Sequence, residues 1–323
     1  MMQARMLCFD TAFQRTPDLW TRKEKSRLIE SILLGLPLPS FFFSERDALS
    51  GNLEIIDGLQ RLCALRDFYI EKELRLEGLE FLHQYEGYNV DDFMPRDKWR
   101  MEMLQLNINI VKYDTPDEVK YNVFKRVNTG GYVLTAQEIR HALNQGQAAD
   151  LVQKWAEETA FIQATAPTSF KRMADRELVT RYYSFHSLDY EGNRDLNDFL
   201  YKGMKKLGSL STEECEQQRS LFVDVLQTAH AIFLGKAFRK PAKGNRVNPI
   251  SKALFDAVTV TLAELTKEER NILVSRKNQF YSEFVHEYET SETFAQDLTT
   301  GTAQRATVQR RWTTMRNIIQ RVL

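Results

Sequence analysis

The 323-residue sequence offers little to metal or disulfide chemistry. Cys8, Cys63 and Cys215 are odd in number and far apart, and none belongs to a Cys-x-x-Cys pair. The histidines His83, His141, His186, His230 and His286 show no ligand spacing such as His-Glu-x-x-His. A disulfide framework and a zinc site are both disfavoured, no metal-ligating set is assigned, and a reducing cytoplasm fits. Surplus charge is missing too, because 44 basic and 44 acidic residues cancel. That balance weighs against a protein living on non-specific nucleic-acid contacts, although a local basic groove stays open. No apolar run approaches the ~20 residues of a membrane span. Asp10, Gln14 and Arg15 interrupt the N-terminal region too early for a secretory leader. The expectation is a soluble cytoplasmic protein without a membrane partner, and no low-complexity tract or fixed-period repeat is visible.

What is present suggests two domains, each long enough to bury its own core. Residues 1–20 read as a short strand and a turn. Over 23–34, Leu28, Ile29, Ile32 and Leu33 share one face, and Gly35, Pro37 and Pro39 stop the helix they predict. Phe41-Phe42-Phe43 and the run 53–56 read as buried strands on either side of a polar loop. A short helix is expected over 99–104. Leu104, Leu106, Ile108 and Ile110 alternate with polar residues, which predicts a half-buried strand. Capping boxes at Thr115-Pro116-Asp117-Glu118 and Thr135-Ala136-Gln137-Glu138 open two helices, the first burying Val119, Val123, Phe124 and Val127. After about Gln145 no period-two run returns. Capping signatures at Ser211, Asn248 and Thr266 accompany helical stretches over 221–234, 250–265, 272–288 and 308–322. The fold expected is α+β: a mixed α/β domain over 1–145 and an all-α domain over 146–323.

The stretch around which this organisation turns is 53–62, where an apolar run ends at Asp57-Gly58 and a helical pattern begins at Leu59. Strand, tight turn and helix set a carboxylate (Asp57), an amide (Gln60) and a guanidinium (Arg61) around a helix N-terminus. Free N–H groups and the positive end of the helix dipole suit such a place to an anion, above all a phosphate. Asp57 is either the cap of that helix or a functional carboxylate. Arg61 beside a glycine turn favours a phosphate contact over an idle exposed position. Glu30 is either solvated or the partner of an arginine in the site, while Ser31 reads as a small packing residue. Glu138 is explained by its capping box, and Arg140 pairs either with it or with a ligand. Arg305, Arg310, Arg311, Arg316 and Arg321 spread around their helix, which favours a solvated helix over a nucleic-acid face. Lys236, Arg239, Lys240, Lys243 and Arg246 form a candidate basic patch.

Several blocks in order carry a resemblance. Phe13-Gln14-Arg15 and Trp20 come first, then Leu-Ile-Glu-Ser-Ile-Leu-Leu-Gly-Leu-Pro-Leu-Pro over 28–39. Asp57-Gly58-Leu59-Gln60-Arg61 follows, and then Phe-Lys-Arg-Val-Asn-Thr-Gly from Phe124, closed by Leu134-Thr135 and Glu138-Ile139-Arg140. Together they resemble the N-terminal domain of GmrSD-type type IV restriction proteins, whose hallmark is Asp-Gly-Gln-Gln-Arg. The resemblance implies a ParB/sulfiredoxin-like fold and a site that binds and hydrolyses nucleoside triphosphates, regulating nuclease action on foreign or modified DNA. Carried over by position, Asp57 and Gln60 would be catalytic. Gly58 and Arg61 would hold the nucleotide, with Gln14, Arg15, Arg126, Asn128 and Thr129 lining the pocket. A nucleoside triphosphate with Mg²⁺ is the implied cofactor, and a nuclease or other defence protein, with DNA, the implied partner.

Two departures stand out. Leu59 replaces the first Gln of the hallmark, which puts hydrolysis in doubt more than binding. No His-x-x-Pro block with following Asn and His marks a His-Asn-His nuclease in the second half. The function expected is a nucleotide-binding regulatory protein of prokaryotic or phage-related restriction and defence, a nucleoside triphosphatase if it is an enzyme. The alternative is a catalytically inactive DNA-binding or partner-docking module on the same fold. Sulfiredoxin-like chemistry would need a reactive Cys63, whose place in an apolar helix reads instead as a buried, inert thiol.

Overall fold

The computed structural model describes residues 7–8, 19–45, 51–116, 119–120, 122–123, 126, 135–144, 146–191, 195–242 and 247–323. The chain divides into two compact units, Met1–Leu143 and Asn144–Leu323.

In the first unit, strands β1 (Leu7–Cys8), β2 (Phe41–Glu45), β3 (Leu53–Asp57) and β4 (Ile108–Val111) form one sheet in the order β1-β3-β2-β4. The aromatic and β-branched runs that fit a pleated surface supply its centre. There β2 and β3 pair antiparallel, with Phe43 opposite Ile55 and Glu45 opposite Leu53. The outer strands β1 and β4 add in parallel. Helix α1 (Arg22–Leu33) starts at a capping box in which the Glu24 N–H donates to Thr21 Oγ1 and the Thr21 N–H to the Glu24 carboxylate. It ends where Gly35 takes a φ of +74°. Ile29, Ile32, Phe41, Ile55, Leu62 and Phe68 share the buried core that joins α1, the sheet and helix α2 (Leu59–Tyr69). A second tie is ionic: Lys25 of α1 donates to Asp67 of α2 at 2.6 Å, and Arg66 donates to the other oxygen of the same carboxylate.

Helix α3 spans Pro95–Glu102 and so begins four residues before the expected start, with Pro95 in its first turn. The segment between α2 and α3 buries Leu74, Leu76 and Leu79 and depends on Glu30. That carboxylate is only 3% exposed and receives the backbone N–H groups of Glu80, Phe81 and Leu82 at 2.7–3.1 Å. Glu30 is therefore neither solvated nor paired with an arginine of the site. It is an internal anion caged by main-chain donors, a role that alternation and spacing do not reveal.

The strand expected over 104–110 is shorter and less covered than its alternation suggests. Ile108 and Ile110 lie on the face continuous with Phe41 and Phe43, yet they are 41% and 39% exposed. Apolar alternation gives the face of a strand but not whether another element lies over it. Helix α4 (Ala136–Leu143) begins at the expected capping box, with the Glu138 N–H donating to Thr135 Oγ1 and the Thr135 N–H to the Glu138 carboxylate. In the helix expected after Thr115, Val119 is exposed and Val123 half-buried, while Phe124 and Val127 lie outside the described residues.

The second unit is all-α among the described residues. Its ten helices are Gln147–Ala156, Thr159–Thr165, Ala174–Ser187, Leu196–Gly208, Thr212–Ile232, Lys252–Ala263, Lys267–Ser275, Lys277–Thr290, Glu292–Asp297 and Arg305–Val322. Trp155, Tyr182, Phe222, Phe233, Phe284 and Met315 sit in one contiguous core. Ser211 and Thr266 cap helices as expected. Asn248 does not: Ser251 caps Lys252–Ala263, and the Asn248 amide donates to the carbonyls of Lys240 and Pro241. The stretch 272–288 is two helices, broken at Arg276.

Several arginines of this unit form ion pairs within it. Arg310, Arg316 and Arg321 pair with Asp297, Glu264 and Glu283/Glu287. Arg311 is fully buried and shares the Asp256 carboxylate with Arg181. Arg305, Arg310, Arg316 and Arg321 are exposed, so the terminal helix is solvated along those positions, as expected, and Arg311 alone of the five turns inward. Of the candidate basic patch, Lys236 is exposed, while Arg239 turns inward to the carbonyls of Thr165, Ala166 and Asn248. Lys240 reaches the Thr299 hydroxyl, and Lys243 and Arg246 lie outside the described residues. No described helix is long and apolar enough to cross a membrane.

Candidate functional site

Strand β3 ends at Asp57, and α2 begins two residues later, at Leu59. Gly58 makes the corner with a φ of +99°, a conformation costly for any residue bearing a Cβ. Space enforces the same choice, since a Cβ there would lie 2.4 Å from Cδ1 of Phe41. Gly58 itself occupies the N-cap position and offers no side-chain cap, so Asp57 is not the cap of α2. The carboxylate of Asp57 instead receives Arg61 at 2.7 Å, one helical turn on, together with the Gly58 N–H.

Arg61 is heavily committed. Besides Asp57 it donates to the carbonyls of Pro39 and, at 3.3 Å, Ser40, and its guanidinium lies 4.5 Å above the Phe41 ring. The Pro37-x-Pro39 run thus ends against the turn. Burial pushes the Asp57 carboxyl above its ordinary value against the pull of Arg61 and the Gly58 N–H. Burial likewise draws the Arg61 guanidinium below its own. A perturbed, half-dry ion pair at a strand-to-helix corner is the kind of place where functional groups gather.

Gln60 faces the other way. Its Oε1 accepts the N–H of Leu19 at 2.8 Å and of Trp20 at 3.1 Å. Leu59 is only 3% exposed and packs in the core. The departure from the hallmark therefore falls on an inward-facing position, so the polar group it lacks would not have stood at the surface of the turn. Cys63 is buried, in keeping with an inert thiol.

Of the other candidate residues, Arg126 occupies an exposed helical position. Gln14, Arg15, Asn128 and Thr129 lie outside the described residues. Arg140 is fully buried, and its Nε donates to Gln137 at 2.9 Å. Sequence reasoning missed the carbonyls of Pro39 and Ser40. The signal available was the proline run leading straight into β2, which presents carbonyls where no helix or strand can use them.

A cavity of about 450 Å³ opens on the sheet face, with Phe41, Phe43, Tyr69, Met101, Glu102 and Ile108 in its walls. The Tyr69 hydroxyl is buried without a hydrogen-bond partner among the described residues, and burial together with the Glu102 carboxylate pushes its phenol up to about 12. Phe41 is the shared element, lining this cavity and supporting Arg61.

Among the described residues no three His, Cys, Asp or Glu side chains stand close enough to hold a metal by themselves. A magnesium ion needs less, because it keeps waters and takes one or two carboxylates plus substrate phosphates. Asp57, Arg61 and the uncapped first turn of α2 form a donor set that suits a phosphate with such an ion.

Fold and site together define an α+β domain that presents a glycine corner, an ion pair and a helix N-terminus. Residues 9–144 match the family model described as GmrSD restriction endonuclease, N-terminal domain, so the first unit is similar to that domain. No curated protein and no solved structure matches the chain.

Proposed function

We propose that the first unit binds a nucleoside triphosphate at the Asp57–Arg61 turn, and that the protein serves restriction-type defence against foreign DNA as a nucleotide-dependent regulator. The observation that carries this reading is the half-buried Asp57–Arg61 pair beside an α2 N-terminus without a side-chain cap, in a unit similar to the GmrSD N-terminal domain. A phosphate would accept the first-turn N–H groups of α2, favoured by the helix dipole and by the guanidinium of Arg61. Mg²⁺ would neutralise phosphate charge with Asp57 as its protein carboxylate. If hydrolysis follows, it rests on positioning and electrostatics rather than on covalent chemistry. The internal pairing of the second unit's arginines favours a nucleotide-sensing or partner-contacting role there over non-specific DNA binding.

Calorimetric titration of the full chain with ATP, GTP, CTP and UTP, each with Mg²⁺, tests the proposal. Wild type should bind at least one of them. Asp57→Asn and Arg61→Lys, each checked for folding by circular dichroism, should bind it at least tenfold more weakly. Failure of all four nucleotides to bind wild type refutes it, and DNA binding indifferent to nucleotide would favour the inactive docking module instead.

A further inference from the structure

Gln60 and Arg61 are neighbours in the first turn of α2, and each side chain holds backbone groups of a segment that flanks α1. The guanidinium donates to the carbonyls of 39–40, the segment that leaves α1 toward β2. The amide oxygen accepts from 19–20, the segment that leads into α1. Residue chemistry matches the need on each side, a donor for carbonyls and an acceptor for N–H groups. Helix α1 is thus bracketed at both ends by consecutive residues of α2.

We infer that Gln60 is a positioning residue of the nucleotide site: its carbonyl clasps the Leu19–Trp20 backbone to the first turn of α2, and it does not touch the nucleotide. This rests on the proposed nucleotide reading for its functional half, while the clasp itself stands on geometry alone. One oxygen holding two consecutive N–H groups fixes both the approach to α1 and the rotation of the Gln60 side chain. The same two N–H groups lie immediately before Thr21, whose capping box starts α1. The Lys25–Asp67 pair holds α1 and α2 together further along, so loss of the clasp frees one end of the seam without dissolving it. The first-turn amides that would meet a phosphate then lose their fixed orientation, and affinity falls because ordering must be supplied on binding.

Gln60→Ala and Gln60→Glu separate positioning from contact. Glutamate keeps the acceptor for Leu19 and Trp20, but it places a negative charge wherever the Gln60 amide would meet a phosphate. Gln60→Ala should weaken nucleotide binding at least tenfold, and Gln60→Glu should restore it to within threefold of wild type. Binding by Gln60→Glu as weak as by Gln60→Ala, or weaker, overturns the inference in favour of direct contact. Hydrogen exchange of the Leu19 and Trp20 amides in the full chain reads the clasp without any nucleotide. Exchange should accelerate at least tenfold in Gln60→Ala and return toward wild type in Gln60→Glu, and unchanged exchange in Gln60→Ala overturns the inference. If wild type binds no nucleotide, the nucleotide reading falls and the exchange result alone decides whether the clasp exists.

Discussion

Glu30 provides the sharpest test of the reasoning about the first unit, because glutamine should fail to replace it. One carboxylate receives three consecutive main-chain N–H groups, from Glu80, Phe81 and Leu82. A hydrogen bond to a charged acceptor contributes about 1.5–3 kcal/mol. The three are not independent, and the exposed Glu80 and Phe81 let water replace part of what is lost, so Glu30→Ala should cost the first unit about 2–4 kcal/mol. Glutamine keeps the oxygen corresponding to Oε1 but loses the charge, and it turns an NH₂ toward the Glu80 N–H that now meets Oε2. Donor then faces donor, and Glu30→Gln should cost more than about 1 kcal/mol. Urea unfolding combined with peptide-resolved hydrogen exchange reads this unit apart from the other. A Glu30→Gln protein within about 0.5 kcal/mol of wild type would refute the caged-anion account. Burial raises the carboxyl, but the N–H groups of Glu80, Leu82 and Phe81 outweigh it, so its folded value lies below the ordinary one. The stabilisation is therefore complete above the unfolded value of about 4.3 and is lost as the pH falls through the folded value. The gap between wild type and Glu30→Ala should close in acid and remain constant from neutrality down to about pH 5.

Three further outcomes follow from the geometry. Asp256→Asn should destabilise the second unit by about 3–5 kcal/mol, since Arg181 and Arg311 would be left buried around a neutral amide; a loss under about 1 kcal/mol by denaturant unfolding would show the network to be wet. Leu59→Gln, which restores the hallmark residue, should lower first-unit stability by about 1–3 kcal/mol by burying an amide in an apolar core; an unchanged unfolding midpoint would mean that position 59 faces solvent. Gly58→Ala should cost at least about 1–2 kcal/mol for the left-handed backbone alone, with the Phe41 overlap added, and thermal unfolding unaffected by it would refute the corner.

Much of the secondary structure in both units was legible because its signals are local. Capping boxes at Thr135, Ser211 and Thr266, the Gly35 stop and the Asp57-Gly58 corner each need only a few neighbouring residues, and all appear. Long-range contacts were not legible. The Glu30 cage closes over about fifty residues and the Arg311–Asp256 contact over 55, and no spacing rule connects such positions. The candidate site was half legible. Spacing brought Asp57, Gly58 and Arg61 together, but it could not say that Gln60 and Arg61 would turn toward backbone. Nor could alternation tell that the β4 face would be open, because cover is supplied by elements distant in sequence.

The final helix is anchored at two points. Arg311 reaches Asp256, and Arg276 donates to the carbonyls of Val322 and Leu323, at 2.5 Å and 3.0 Å. Met315, Ile318, Ile319 and Val322 fill the core between those two anchors. The last turn of this helix is thus tied to the helix that starts after Arg276 as well as to the core. A cut before Arg305 would remove one of the two arginines on a buried acid together with one wall of the core.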